Sequence, residues 1–219
     1  MTQLTTAPGN LPILPVTPHG DMKTFVDIAS ASSFLPRLQL FTSNSTACKS
    51  GKFPINHYGL VRGKDQIEDL GTEIYCLPMS YRYKAMNTTS DPIITVFDPH
   101  SELFIDLKAK ADIPDSGCVY GVEFLVWLAD RETFATLYLA SKSARQEAQN
   151  VLALLNKPMK LGSKFIEKKK FSWQAPVAFS SPLEITPPPI NEALEAGQRF
   201  LSEKPSEVQM APTDDARVR

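Results

Sequence analysis

Residues 117–128 read GCVYGVEFLVWL and residues 133–139 read TFATLYL, joined by Ala129-Asp130-Arg131-Glu132. Both runs are apolar at almost every position and rich in β-branched and aromatic side chains. They are also bounded by glycine or charge, the pattern of strands buried on both faces. The compact charged link between them predicts an antiparallel hairpin and places it at the heart of a sheet. Outward from it, residues 56–62 and 72–86 carry Tyr, Ile and Leu in strand-like runs, and residues 92–97 form a short apolar run closed by Asp98-Pro99. The stretch 160–173 reads as one long final strand. Ser143 and Gln146 have capping-box spacing. They open a helix whose Ala144, Ala148, Val151, Leu152 and Leu155 share one face, and Pro158 stops it. Residues 101–110 fit a short helix and, through Leu103, Ile105 and Leu107, a strand as well; both readings stay open.

These elements define a mainly β, α+β domain with one or two helices, in the form of a small barrel or curled antiparallel sheet. An oligonucleotide/oligosaccharide-binding (OB-like) barrel is the nearest expectation. In that fold the helix sits between the third and fourth strands. Here it precedes the last strand, so the match requires an extra strand or a rearranged edge.

Proline marks the borders. Of 18 prolines, four lie in residues 1–30 and six in 182–219, including Pro187-Pro188-Pro189, which favours extended polyproline geometry. The expected organisation is a flexible proline-rich arm over 1–30, a β-rich globular domain over 31–181, and an acidic, largely disordered tail over 182–219. Within that tail, residues 191–201 have the pattern of a short docking or transient helix. The whole chain of 219 residues has a net charge of −1. That balance supplies no global attraction to nucleic acid or membrane, although residues 31–181 alone carry 18 bases against 15 acids. No stretch of about 18 apolar residues occurs, so no membrane partner is expected. Residues 1–20 lack a basic start followed by an apolar core, and the three cysteines form no disulfide pattern. An intracellular, cytoplasmic protein is expected, in the host-cell cytoplasm if the source is viral.

No catalytic motif emerges. The ten glycines form neither a phosphate-cradling loop ending in lysine nor a dinucleotide fingerprint. His19, His57 and His100 are far apart, and Asp98-Pro99-His100 is turn chemistry. Asp65, Glu68 and Asp69 form the only tight acidic group and read as a turn. No nucleophile elbow is present. The chain is therefore expected to be non-enzymatic, with no cofactor and no metal.

Two segments instead combine rings with cations: Tyr81-Arg82-Tyr83-Lys84, and residues 164–173 with Lys168, Lys169, Lys170, Phe171 and Trp173. On a strand, Tyr81 and Tyr83 share one face and Arg82 and Lys84 the other. In the second segment Lys168 and Lys170 fall on one face, and Lys169, Phe171 and Trp173 on its opposite. Single-stranded nucleic acid is held by such equipment, with bases stacked on rings and lysines or arginines on the phosphates. The expected partner is single-stranded DNA, with RNA undistinguished. A homo-oligomer and a protein partner for the tails are the further expectations, and a structural or assembly protein using its proline-rich arms is the alternative.

From Leu35-Pro36-Arg37-Leu38 through Ser43-Asn44-Ser45, Gly51-Lys52, Tyr58-Gly59-Leu60, Leu70-Gly71, Leu77-Pro78 and Tyr120-Gly121 to Lys170-Phe171-Ser172-Trp173, the chain resembles a loosely defined group of bacteriophage-encoded proteins. The resemblance implies a phage protein of a DNA replication or recombination module, where single-stranded DNA-binding proteins are common. Phage proteins of that kind often end in acids capped by an aromatic residue. Residues 214–219, DDARVR, depart from this pattern.

Overall fold

The computed structural model describes residues 35–62, 66–168 and 171–203. Within them the elements run β1 (Arg37–Leu40), α1 (Thr46–Lys49), β2 (Tyr58–Val61), β3 (Ile67–Gly71), β4 (Ile74–Asn87), β5 (Ile94–Val96), α2 (Glu102–Lys110), β6 (Cys118–Leu128), β7 (Thr133–Leu139), α3 (Lys142–Ala153), β8 (Met159–Lys168), β9 (Phe171–Ser180) and α4 (Ile190–Ser202). The fold is mainly β with helices, as the sequence predicts. Among the described residues the strands lie in the order β3-β2-β1-β7-β6-β4-β8-β9, with β5 on β4. The sheet is open and mixed, since β1 pairs parallel with β7; it differs in this from a closed antiparallel barrel.

The described chain forms two compact units, residues 35–83 with 121–203, and residues 84–120. In the first, β6 and β7 make the expected hairpin in register from Val122↔Leu139 to Leu128↔Thr133. Its link turns at Glu132, whose φ of 44° is left-handed. The near-continuous apolar run follows from layering. Phe124 and Val126 enter a core with Leu38, Tyr58, Leu60 and Leu137, closed by Ala144, Ala148 and Val151 of α3. Leu125 and Trp127 enter another with Leu77, Met79 and Phe134, closed by Ala193, Ala196 and Phe200 of α4. Alternate side chains of one strand thus serve helices on opposite faces of the sheet. Gly121 is required by close approach, because a Cβ there would meet the Leu139 carbonyl oxygen at 2.1 Å.

Three expectations change. The boundary at 181/182 falls inside this unit: residues 182–203 are part of it, and Trp127 Nε1 donates to the Thr186 carbonyl at 3.0 Å. Helix α4 buries Phe200, an amount of apolar surface that a transient helix cannot supply. The arm over 1–30 lies outside the described residues. The strand expected over 160–173 is instead two strands, β8 and β9, folded back on each other from Met159↔Ser180 to Lys168↔Phe171. Finally, α3 begins one turn-fraction earlier than the capping-box reading, at Ser141, whose hydroxyl accepts from Ala144 N at 3.2 Å.

In the second unit, residues 94–96 of β5 pair with residues 85–87 of β4, and Ala85, Val96, Phe104, Leu107 and Cys118 form its core. The open choice over 101–110 resolves as helix α2, capped by Ser101 on Phe104 N. Phe104 and Leu107 point inward at helical spacing, which leaves Ile105 outside.

Candidate functional site

Strand β4 carries the first ring-and-cation segment, and its sides are unlike. Tyr81 packs on the core beside Phe124, with ring centroids 6.3 Å apart. Tyr83 stands edge-on to Tyr81 at 6.1 Å and is 42% exposed. Arg82 lies on the other face and is withdrawn from solvent, at 7% exposure. Its Nε donates to Glu123 Oε2 at 2.7 Å, its other nitrogens donate to the Phe200 carbonyl and to Glu203, and its guanidinium lies 4.4 Å from the Phe200 ring centroid. The expectation of a phosphate contact at 82 is corrected accordingly: the guanidinium ties α4 to β6. Lys84 sits with its Nζ 5.8 Å above the Phe97 ring.

The second segment is the outer half of the β8–β9 ribbon. Antiparallel register puts Lys164 opposite Ala175, Ile166 opposite Trp173, and Lys168 opposite Phe171. Cross-strand partners share a side, so the first two pairs line one face and Phe165 with Gln174 lies on the other. The side chains of Lys168 and Phe171 fall outside the described ones. Lys169 and Lys170 fall outside the described residues. Trp173 is half-buried, and its Nε1 donates to Ser143 Oγ of α3 at 3.2 Å, which fixes the indole edge. Lys164 is exposed and Phe165 is 61% exposed. Diagonal neighbours across a ribbon lie about 7–8 Å apart, so Lys164 is a diagonal neighbour of Trp173 along the ribbon. Residues 160–171 hold five lysines and one glutamate. At the base of the ribbon Lys160 is engaged by Glu73 at 2.6 Å, and this hydrogen bond raises its pKa.

The two segments lie on strands that diverge. Although β4 and β8 are neighbours, they pair only at Ile74↔Leu161 through Cys76↔Met159 and then run in opposite directions. Tyr81 lies five residues beyond Cys76 at one end of this pairing, and Ile166, the partner of Trp173, five residues beyond Leu161 at the other, twelve residues in all with the paired stretch between. At about 3.3 Å per residue that is roughly 40 Å along the strands. The two segments do not pair with each other, and the ribbon is taken as the candidate.

The buried titratable groups are structural. Burial pushes the Cys76 thiol up to about 12. Burial likewise raises the Tyr58 hydroxyl, which donates to the Gly162 carbonyl at 2.8 Å. At the surface His57 Nδ1 meets Asp69 at 2.9 Å. Partial burial raises the Asp69 carboxyl, but the Gly71 amide and His57 together bring it below the ordinary aspartate value. Among the described residues, no group of three or more His, Cys, Asp or Glu is placed to hold a metal ion. No described helix is long and apolar enough to cross a membrane. Sequence reading missed the Arg82–Glu123 pair, although a lone acid inside the run 122–128 was a signal for it. Nothing in the sequence links Ser143 to Trp173. No protein-family model, curated protein or solved structure matches the chain.

Proposed function

We propose that this chain is a non-enzymatic single-stranded DNA-binding protein whose binding element is the outer half of the β8–β9 ribbon. The observation that supports the reading is Trp173, held at its edge by Ser143 with Lys164 as its diagonal neighbour. The indole face stacks a base, and Phe165 offers a second ring on the reverse side. Lys164, Lys168, Lys169 and Lys170 follow the phosphates. A ring fixed by its N–H loses little freedom on stacking, so the roughly 1–3 kcal/mol per stacked base is realised without an ordering cost. Arg82, buried against Glu123 and Phe200, has no part in this site.

The chain carries its own control for the test. Trp127 is 4% exposed and packs on Phe134, whereas Trp173 is only half-buried. Titration with oligo-dT at about 0.05 M salt is expected to quench the fluorescence, and Trp173→Phe to remove that quench while leaving the Trp127 emission. Each phosphate contact on a single strand contributes about −0.7 to the slope of log affinity against log salt. Lys164→Ala is therefore expected to flatten the slope by about that amount. Absence of binding at low salt overturns the reading.

A further inference from the structure

The two edges of the β8–β9 ribbon are unlike. Pro176 has no N–H, so its pair with Ser163 is not one that exchanges backbone hydrogen bonds. The Ala178 amide fixes the same phase, because it donates off the ribbon to Glu147 Oε1 of α3 at 2.8 Å. Hydrogen-bonded and open pairs alternate along an antiparallel ladder. Ser172, Gln174, Pro176 and Ala178 of β9 therefore turn their backbone groups outward, as do Ser163, Phe165 and Glu167 of β8. The β9 edge is guarded, since Pro176 lacks a donor and the Ala178 donor is taken by the buried Glu147. The β8 edge is not. Met159 and Leu161 pair with β4, and among the described residues that pairing stops at Leu161. Beyond it Ser163, Phe165 and Glu167 have no backbone partner on that side among the described residues.

A strand edge with unpaired amides and carbonyls is a template for another strand. We propose that the β8 edge from Ser163 to Glu167 pairs antiparallel with the same edge of a second copy of this chain, across a two-fold axis at Phe165. This register sets Phe165 opposite the copy's Phe165 and Ser163 opposite the copy's Glu167, so every outward-turned residue of the stretch meets another. It also sets Lys164 opposite the copy's Ile166, and no like charges face each other. An axis at Lys164 puts two lysines face to face, and an axis at Ile166 leaves Ser163 unmatched within the stretch. Phe165, the most exposed large apolar side chain among the described residues, gains an identical ring to pack on. The same patch serves both chains, so the assembly closes as a dimer. Phe165 lies on the face away from Lys164, Ile166 and Trp173, so the two copies present that second face together on one side of the joined ribbons. The pairing does not depend on DNA binding.

The test uses the full chain without nucleic acid. Light scattering is expected to give twice the chain mass at about 0.05 M and about 0.5 M salt alike, because backbone pairing and ring contact are little screened. Phe165→Pro removes an outward amide and the ring but no bond of the β8–β9 ladder, and is expected to be monomeric with an unchanged circular dichroism spectrum. Gln174→Pro removes an outward amide from the β9 edge instead, and is expected to stay dimeric. Register is read by mild oxidation in a Cys48→Ser background, where Cys76 and Cys118 are buried. Phe165→Cys is expected to give a reducible covalent dimer, since opposed Cα atoms lie about 5.5 Å apart. Glu167→Cys is expected to give none, since its twin lies about 13 Å away along the strands. Where Phe165→Pro loses the spectrum of the fold, the cross-links decide. A wild-type monomer overturns the proposal, as does a folded Phe165→Pro dimer, a Gln174→Pro monomer, or cross-linking at 165 no greater than at 167. A chain that binds oligo-dT as a monomer overturns the pairing alone, and a dimer that does not bind oligo-dT overturns the DNA reading alone.

Discussion

At the scale of single residues the decisive one is Glu123, an acid at 2% exposure in a strand that is otherwise apolar. Arg82 pairs with it, and removing Glu123 takes away the buried guanidinium's buried counter-charge and leaves it only the partly exposed Glu203. Glu123→Ala is expected to cost roughly 3–5 kcal/mol in urea unfolding, whereas Arg82→Met with Glu123→Leu costs far less, because the double replacement removes both charges and keeps the volume. Glu123 was legible as an anomaly in the run 122–128; Arg82 was not. Tyr-Arg-Tyr-Lys is written the same way whether the arginine reaches solvent or a buried carboxylate, and its partners Glu123 and Phe200 are 41 and 118 residues away. Asp69 gives a smaller effect with a definite sign. Its carboxyl is held below the ordinary value in the fold, so its contribution is present above the unfolded pKa of about 3.9 and is lost as pH falls through the folded value. Asp69→Asn is expected to lower stability by at most about 1 kcal/mol at neutral pH, since the pair is partly exposed. The two stability curves should converge in acid; a constant difference between pH 7 and pH 2 contradicts the assignment.

At the scale of elements, hydrophobic periodicity was a reliable guide where one face of a helix or both faces of a strand were buried. It placed β6, β7 and the Ala144, Ala148, Val151 face of α3. It left termini and turns undecided, because a serine two residues early caps as well as one in box spacing. Ser141→Ala is therefore expected to cost about 1 kcal/mol through loss of the cap, and Ser143→Ala to leave the helix intact while shifting the Trp173 emission, since Ser143 holds the indole N–H. Equal destabilisation by the two substitutions contradicts this division of roles. The lysine run at 168–170 reads as the middle of a strand because nothing in it signals a turn: it has no glycine, asparagine or proline. Pairing across ten residues on each side decides the reversal, and pairing is a property of two strands together. For the same reason the candidate site was half legible. Its residue types stood out in the sequence, but the distance between the two segments depends on the direction of β8.

At the scale of the whole chain, proline content suggested that folding ends near 181, and the structure places a further helix against the sheet. Proline indeed keeps residues 182–189 out of regular structure, yet it leaves the backbone free to run extended across Trp127 and deliver α4. Helix α4 closes the core made by Leu77, Met79, Leu125, Trp127 and Phe134, and Phe200 is 1% exposed within it. A chain ending at residue 181 keeps every strand and loses this layer. It also leaves Arg82 and Glu123 facing water beside an uncovered apolar surface. Phe200→Ala is expected to cost about 3–5 kcal/mol, by cavity formation and loss of the ring under the Arg82 guanidinium. Truncation at 181 is expected to go further, with binding of a hydrophobic dye, a lowered urea midpoint and association through the uncovered face. Because that face is apolar, such association should survive high salt. A truncated chain that stays monomeric, excludes the dye and unfolds at the midpoint of the full chain would show that α4 is dispensable to the fold.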